Sequence, residues 1–405
     1  MTAVAMPDGL QGCRMAGAFA SALIPAWLDL ALPAGTDPAP VIEELAREGG
    51  PVTTLTQART VFMLAHLGRL TGDARLVAAA GRICDFLRAH LRDADGGCRY
   101  SVAADGTPLE DPGAALRRSY DQTFVLLALV TLRDADPQAV AAAEIDGCWD
   151  FIDTVLTDRV SDALWEDDRM AARGAGPDDL RAQNPHMHLL EAVLQCLELT
   201  GDRIWADRAD WLVAVAERYF IDPSTGAVRE FTGPDFRPLD TAAGLRREPG
   251  HQYEWAWLLE RHALLTGRAG AAGLVPAMHG FVTAHGWQGR GPMEGALFDA
   301  VDAQGRVTEE THLLWPLTEA GKFYAARARE TGDAAAAERA RQIAEVIFGR
   351  YFDGDGRPAW VNQFDAGGNV SWPAGLSRLL YHVALFVTEG ASAGLWPLAA
   401  PASRS

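Results

Sequence analysis

A tripeptide that recurs at a near-constant interval is the strongest constraint on what this chain can fold into. Thr71-Gly72-Asp73 returns as Thr200-Gly201-Asp202 and Thr331-Gly332-Asp333, with Thr266-Gly267-Arg268 between the last two. The intervals are 129, 66 and 65 residues. Because 129 is close to two periods, a degenerate copy belongs near 135, where Arg133-Asp134-Ala135-Asp136-Pro137 stands. A fixed period through most of a 405-residue chain marks a repeat array rather than unrelated domains, and the length holds roughly six units.

Apolar residues fall at helical spacing in most segments, as at Val61, Phe62, Leu64, Ala65 and Leu67 or Leu189, Leu190, Val193, Leu194 and Leu197. Each Thr-Gly-Asp reads as a tight turn between two helices, with Gly as the left-handed stop. The opposite connections are longer and rich in Gly, Asp and Pro: 93–110, 222–237, 298–307 and 352–370. Several carry hairpin turn signals, at Asp95-Gly96-Gly97, Asp105-Gly106 and Asp353-Gly354-Asp355-Gly356. Six helical hairpins closing on themselves predict an all-α (α/α)6 barrel with short β-hairpins on one end. The predicted inner helices are 57–70, 120–132, 184–199, 251–265, 315–330 and 377–387, and they begin at the elaborated end. Residues 1–390 are expected as one catalytic barrel domain, and 391–405, rich in Ala, Pro and Ser, as a flexible C-terminal tail.

A formal charge of −18 disfavours nucleic acid and anionic membrane surfaces as partners. Lys322 is the only lysine, and no phosphate-cradling Gly-rich loop ends in Lys-Ser/Thr. The five cysteines are scattered, odd in number and free of C-x-x-C spacing, which points to a reducing, cytoplasmic setting. No basic residue precedes Arg14, and the apolar stretch after it is broken by Pro25 and Asp29, so neither a signal peptide nor a membrane span is expected. A homo-oligomer stays open.

Twelve residues before each repeat threonine stand Arg59, His188, Glu254 and Glu319. A helix that is only packed would place Leu or Ala there, so this register faces something wet and shared. Asn184 and His188 lie about 40° apart on a helix and point the same way. His186 lies about 200° from His188, which ill suits a shared metal and makes it a packing or capping residue. His251 opens its helix after Pro249-Gly250, one turn from Glu254, either as a capping histidine paired with glutamate or as a base titrating near neutrality. Trp315 and Glu319 repeat the four-residue spacing, the indole face and carboxylate suiting a sugar. His382 follows Tyr381 on the last inner helix, and Tyr120 and Asp121 sit slightly off register on the second. The set contains no activated Ser or Cys, no dinucleotide fingerprint and no compelling metal geometry, so no cofactor and no metal are expected. Two histidines on different helices suit removal and return of a proton beside a carbonyl, with Arg and polar donors stabilising an enediolate.

Asn184-Pro185-His186-Met187-His188-Leu189-Leu190-Glu191, Pro249-Gly250-His251-Gln252-Tyr253-Glu254-Trp255 and Trp315-Pro316-Leu317-Thr318-Glu319, in this order, resemble the N-acylglucosamine 2-epimerase family. That family includes D-mannose isomerases, sulfoquinovose isomerases and cellobiose 2-epimerases on (α/α)6 barrels. With Arg59, Tyr120-Asp121 and His382 the resemblance covers almost the whole chain. It implies His251 and His382 as the acid/base pair and Arg59, Tyr120, Asn184, His188, Glu254, Trp315 and Glu319 as the residues holding an open-chain sugar. Leu317 stands where Gln is expected in many relatives, which bears on substrate preference, and Arg246 or Arg247 stands where an upstream Arg is often found. The Asn-Pro-His-Met-His stretch is closer to the isomerases, implying a cofactor-independent interconversion of an unmodified aldose and ketose, D-mannose and D-fructose. The alternatives are a sugar 2-epimerase, an inverting glycoside hydrolase using Glu254 and Glu319 on the same barrel, and a non-catalytic sugar-binding protein.

Overall fold

The structure, a computed structural model, describes residues 10–32, 38–44, 49–352 and 357–398. Gly72, Gly201, Gly267 and Gly332 end four helices at φ of 73°, 69°, 72° and 71°, the left-handed region that a Cβ disfavours. The threonine before each returns its hydroxyl to the carbonyl four residues back, at 2.7 Å for Thr71, Thr200 and Thr266 and 2.8 Å for Thr331. Asp73 and Asp333 then cap the next helix, accepting from the backbone N–H of Arg75 and Ala335. The degenerate second copy lacks the glycine, and its connection is longer, from Ala135 to Ala142.

Six inner helices run Thr54–Thr71, Ser119–Ala135, Asn184–Thr200, Pro249–Thr266, Leu314–Thr331 and, after the short turn Ser377–Leu379, Leu380–Ser392. Each packs on the next and the sixth packs on the first, which closes the (α/α)6 barrel. The first begins a turn earlier than expected because Thr53 caps it through the Thr56 N–H. Flanked by two neighbours, backed by an outer helix and fronted by the pore, the inner helices bury nearly every residue over their first three turns. The outer helices are Ala74–Phe86, Ala142–Phe151, Ile204–Val215, Val275–His285 and Ala334–Val346. Gln11–Ala18 and the turns that continue it pack against Ala334–Val346 and the last inner helix, completing the outer ring.

One expectation is corrected. Part of the expected loose tail is ordered: the last inner helix continues to Ser392, and Trp396 is buried against Phe386 with its Nε1 donating to the Val387 carbonyl at 2.8 Å. Residues 399–405 lie outside the described residues, as does the expected turn Asp353-Gly354-Asp355-Gly356.

Short hairpins stand on the barrel mouth as expected. Strand pairs form two of them, Ala300–Val301 with Val307–Glu309 and Gln363–Phe364 with Val370–Trp372, and single antiparallel bridges close tighter ones, Arg92 with Cys98 over Asp95-Gly96-Gly97, Val102 with Pro108 over Asp105-Gly106, and Ile221 with Val228. Further pairings, which no turn signal announces, join different connections. Val52–Thr53 pairs with Ser101–Val102, Arg181–Ala182 with Phe231–Thr232, and His312–Leu313 with Gln363–Phe364. Single antiparallel bridges fill the gaps: Arg118 with Asp167, Arg247 with Val301, and Glu44 with Leu376. The connections ahead of all six inner helices are thus tied into one continuous belt around the barrel mouth.

Side chains anchor this belt to the inner helices. Gln57, Gln122 and Gln252 each accept from and donate to the backbone of a single loop residue, Val41, Cys98 and Val228 respectively. His186 stands in the same register as Gln57 and Gln252, and it accepts from the Leu164 N–H at 2.8 Å while its Nδ1 bonds the Ala182 carbonyl. Leu317, also in this register, is fully buried and cannot clamp a loop. There the His312 ring bonds the Leu297 carbonyl at 2.7 Å instead. Among the described residues no helix is long and apolar enough to cross a membrane.

Candidate active site

The belt and the first turns of the inner helices enclose a cavity of about 500 Å³. Eight of the nine residues singled out in the sequence line it: Arg59, Tyr120, Asn184, His188, His251, Glu254, Trp315 and His382. They arrive from all six inner helices. Glu319 does not line it, a correction to its expected place among the sugar contacts. It is fully buried one layer below, between His382 and Lys322.

The two histidines are held alike and tuned apart. Nδ1 of His251 donates to Glu230 at 2.8 Å, with Glu248 at 3.3 Å, and Nδ1 of His382 donates to Glu319 at 2.7 Å. A carboxylate accepts only, so each contact fixes Nδ1 as the protonated nitrogen and leaves Nε2 on the opposite edge of a ring that lines the cavity. The indole of Trp315 lies between them, 4.7 Å from the His251 ring and 5.8 Å from the His382 ring by centroid. Gly250 is what lets it lie there, since a Cβ at 250 would stand 2.6 Å from the indole. Burial lowers the His251 pKa, but Glu230, Glu248 and Glu254 together outweigh it and push the ring up to about 10. Burial also dominates at His382, where the cations Arg59 and Lys322 add to it, and the ring is held well below its ordinary value. One imidazole is therefore held protonated and the other neutral at neutral pH.

The opposite wall is cationic and aromatic. Arg59 donates to the Tyr120 hydroxyl at 2.7 Å and stacks over Phe124 and Tyr381 at 4.2 and 4.9 Å. His188 gives its Nδ1 to Glu191 at 3.1 Å, and Glu191 also accepts from the Tyr381 hydroxyl. Several buried polar atoms of cavity-lining residues lack a hydrogen-bond partner among the described residues: Arg59 Nε, Asn184 Oδ1, Asn362 Oδ1 and both oxygens of Glu254. Buried polar atoms are ordinarily satisfied. A ligand dense in hydroxyls would satisfy this set. Burial, with the Glu319 and Glu191 carboxylates nearby, raises Glu254 well above the carboxylate range.

Sequence reasoning missed Glu230, Glu248, Arg118, Glu166, Asn362, Trp372 and Arg378, which also line the cavity. Most stand on the belt, outside the helical register. Glu248 alone left a signal, one turn before His251. Neither Arg246 nor Arg247 lines the cavity. Arg247 is buried on Asp222 at 3.0 Å, and Arg246 pairs with Glu248 and Glu309. Leu317 does not line it either, so that departure concerns the belt clamp and not a sugar contact.

Two alternatives meet this geometry. An inverting hydrolase needs carboxylates about 6.5–9.5 Å apart with water between them. Carboxylate oxygens of Glu254 and Glu319 lie within 4.8 Å of each other and Glu319 is walled off, so this pair does not fit. Among the described residues, three His/Glu sets are close enough to hold a cation. The set of Glu254, Glu319 and His382 already has one beside it, the Lys322 ammonium 2.5 Å from Glu319.

Residues 43–385 match the family N-acylglucosamine 2-epimerase (GlcNAc 2-epimerase). The chain is similar to a mannose-6-phosphate isomerase of Rhizobium meliloti (strain 1021), 31% identical over 94% of this chain and 96% of that protein. It is also similar to a D-mannose isomerase of Pseudomonas cannabina pv. alisalensis, 28% identical over 70% of each. A crystal structure of a D-mannose isomerase superposes with a TM-score of 0.80 at 17% identity, over 95% of this chain and 99% of the other. The chain belongs to the N-acylglucosamine 2-epimerase family and is an enzyme of isomerase or epimerase chemistry.

Proposed function

We propose that the cavity is the active site of a cofactor-independent aldose–ketose isomerase acting on a neutral monosaccharide, with D-mannose and D-fructose as the pair. The observation that carries this reading is the pair of carboxylate-anchored imidazoles flanking one indole, one held protonated and the other neutral. Neither hydrolysis nor simple binding requires such a pair. In this reading Nε2 of neutral His382 takes the C2 proton of the open-chain aldose as C1–O gains the electron pair. The enediolate is stabilised by Arg59 and the Tyr120 hydroxyl. His382 returns the proton to C1, the O2 proton passes to O1, and C2 becomes the ketone. His251, as imidazolium, protonates the ring oxygen as the C1–O bond of the ring breaks, recovers a proton from the O1 hydroxyl, and then relays the O2 proton to O1. Asn184, His188, Glu254 and Trp315 hold the remaining chain, and Glu319 acts only through His382. We place the enzyme in the cytoplasm, on five cysteines that are all free and buried.

The charge of the site supports an unphosphorylated substrate. Arg59, Arg118 and Arg378 line the cavity against the carboxyl groups of Glu166, Asp167, Glu230, Glu248 and Glu254. Arg118 is committed to Asp121 by two bonds of 2.8 and 2.7 Å, and Arg378 faces Glu43 at 3.5 Å. A phosphate would enter a site where Arg118 and Arg378 already have carboxylate partners and where Asp167 and Glu230 repel it.

The test is incubation with D-mannose and, separately, D-mannose 6-phosphate in D2O, followed by NMR. Fructose deuterated at C1, formed from mannose in preference to its phosphate, supports the reading. Glucose labelled at C2 with no ketose at any time transfers the assignment to 2-epimerisation, which differs only in where the proton returns.

A further inference from the structure

We infer that Lys322 is a positioning residue for the proton transfer, its ammonium serving as the fixed counter-ion that makes Glu319 orient His382 without protonating it. The inference rests on His382 being the proposed base. Among 36 basic residues Lys322 is the only lysine, and its side chain is fully buried in the fifth inner helix, one turn after Glu319. Its Nζ lies 2.5 Å from Glu319 Oε2, close in distance but not aligned as a hydrogen bond, and 4.0 Å from the centre of the Trp257 ring. Trp257 in turn lines a separate cavity at the far end of the barrel, so the indole stands between that cavity and the ammonium.

Charged groups face His382 from its neighbouring elements, with Arg378 one turn before it and His251 beyond the Trp315 indole. Arg59 faces it from the first inner helix, His188 and Glu191 from the third, Glu254 from the fourth, and Glu319 and Lys322 from the fifth. Three carboxyl groups thus converge on a site where the base must stay neutral. A carboxylate bonded to Nδ1 fixes the tautomer with Nε2 free to accept, but its charge also favours the imidazolium. Lys322 answers the second effect and leaves the first intact. Its charge is felt by Glu319, Glu254 and Glu191, and burial, which would lower its own pKa, is overcome by those same carboxyls. A compact ammonium on a flexible stem can serve carboxyls on three helices, which a planar guanidinium fork cannot do as well.

Lys322→Met removes the charge and keeps most of the volume. At pH 7 kcat should fall about 10–100-fold, a general-base effect, while KM for mannose changes by less than about threefold. Glu319→Gln/Lys322→Met removes both charges but keeps an oxygen to accept from Nδ1, so it should recover about tenfold over Lys322→Met, as coupled neighbours do. A lysine that only fills space would not be rescued this way. If Lys322→Met does not fold, Glu319→Gln, which strands the ammonium, is the other side of the cycle and must be slower than the double variant. Ring-proton NMR of His382, assigned by its loss in His382→Asn, gives a readout independent of turnover. The ring should stay neutral at pH 7 in the wild type, and its titration should move to higher pH in Lys322→Met. A folded Lys322→Met with wild-type kcat and an unmoved His382 titration overturns the inference, as does a double variant no faster than either single one. A wild type that turns over no sugar fails the isomerase reading instead, and the His382 titration still decides the role of Lys322.

Discussion

Glu230→Gln isolates the charge that keeps His251 protonated. The glutamine retains an oxygen to accept from Nδ1 and nearly the same volume, so the ring should hold its place between Glu230 and Trp315. At 2.8 Å and an effective dielectric near 20, a carboxylate–imidazolium pair is worth roughly 6 kcal/mol before desolvation is counted. Glu248, 3.3 Å away, and Glu254 remain to support the cation. We therefore expect the His251 pKa to fall from about 10 by roughly two units, on the order of 3 kcal/mol. At pH 7 the ring is still mostly protonated and kcat should be nearly retained. At pH 9 the variant should lose about tenfold, where the wild type loses little. The assay is kcat for mannose from pH 6 to 9.5, with His251 followed by NMR over the same range. The stability consequence has a definite sign. A pKa raised from 6.5 to about 10 contributes stability that is complete below 6.5 and disappears as pH rises through 10, while Glu230, whose pKa is lowered, contributes above the carboxylate range. The variant should thus lose more Tm at pH 7 than above pH 10. An alkaline limb that stays put in a folded Glu230→Gln protein refutes the assignment of His251 as the standing acid.

His382→Asn should lower kcat by about 10²–10⁴ with little change in KM, the usual range for a lost general base; near-wild-type turnover would make this histidine structural. Exhaustive chelation should leave turnover intact, and loss with EDTA that one divalent ion restores would assign a metal to one of the His/Glu sets. Gly250→Ala forces a methyl to within 2.6 Å of the Trp315 ring, so KM should rise about 3–10-fold and stability fall by about 1–3 kcal/mol, measured by kinetics and thermal melts; an unchanged KM would show that the indole does not touch the sugar.

The period carried the fold because its chemistry is local. A glycine at left-handed φ, a threonine hydroxyl returned to the previous turn and an aspartate cap are all decided within six residues; the first two recur at four of the five handovers from an inner to an outer helix, and the cap at Asp73 and Asp333. The belt at the other end was poorly legible for the opposite reason. Its strands are two or three residues long and pair across connections, Val52 with Val102 or Ala182 with Phe231, so no alternation builds up along the chain. A turn signal such as Asp105-Gly106 announces the local reversal that it closes, Val102 with Pro108, but not the pairing of Val102 with Val52 on another connection. The ordered segment at Trp396 was misread from composition, since one buried indole outweighs a run of Ala and Pro.

At the site, register located the residues that inner helices supply, and only those. It found Arg59, His188 and Glu254 facing the cavity, and it found Glu319 without revealing its depth, since a helical angle gives direction and not distance from the pore. Depth is set by what stands in front, here His382 and Trp315. The carboxylate that decides the state of His251 comes from the belt, at Glu230, twenty-one residues upstream with no periodic link to it. The same belt accounts for two residues of the family motifs that do not line the cavity. His186 and Leu317 occupy the register of Gln57 and Gln252, which clamp loops, so His186 is an imidazole doing the work of an amide, and Leu317 marks the one such position where the loop is held from its own side by His312. A polar residue that recurs in a barrel therefore carries two meanings two residues apart: at one register it faces the pore, and at the next it holds the wall in which the pore is cut.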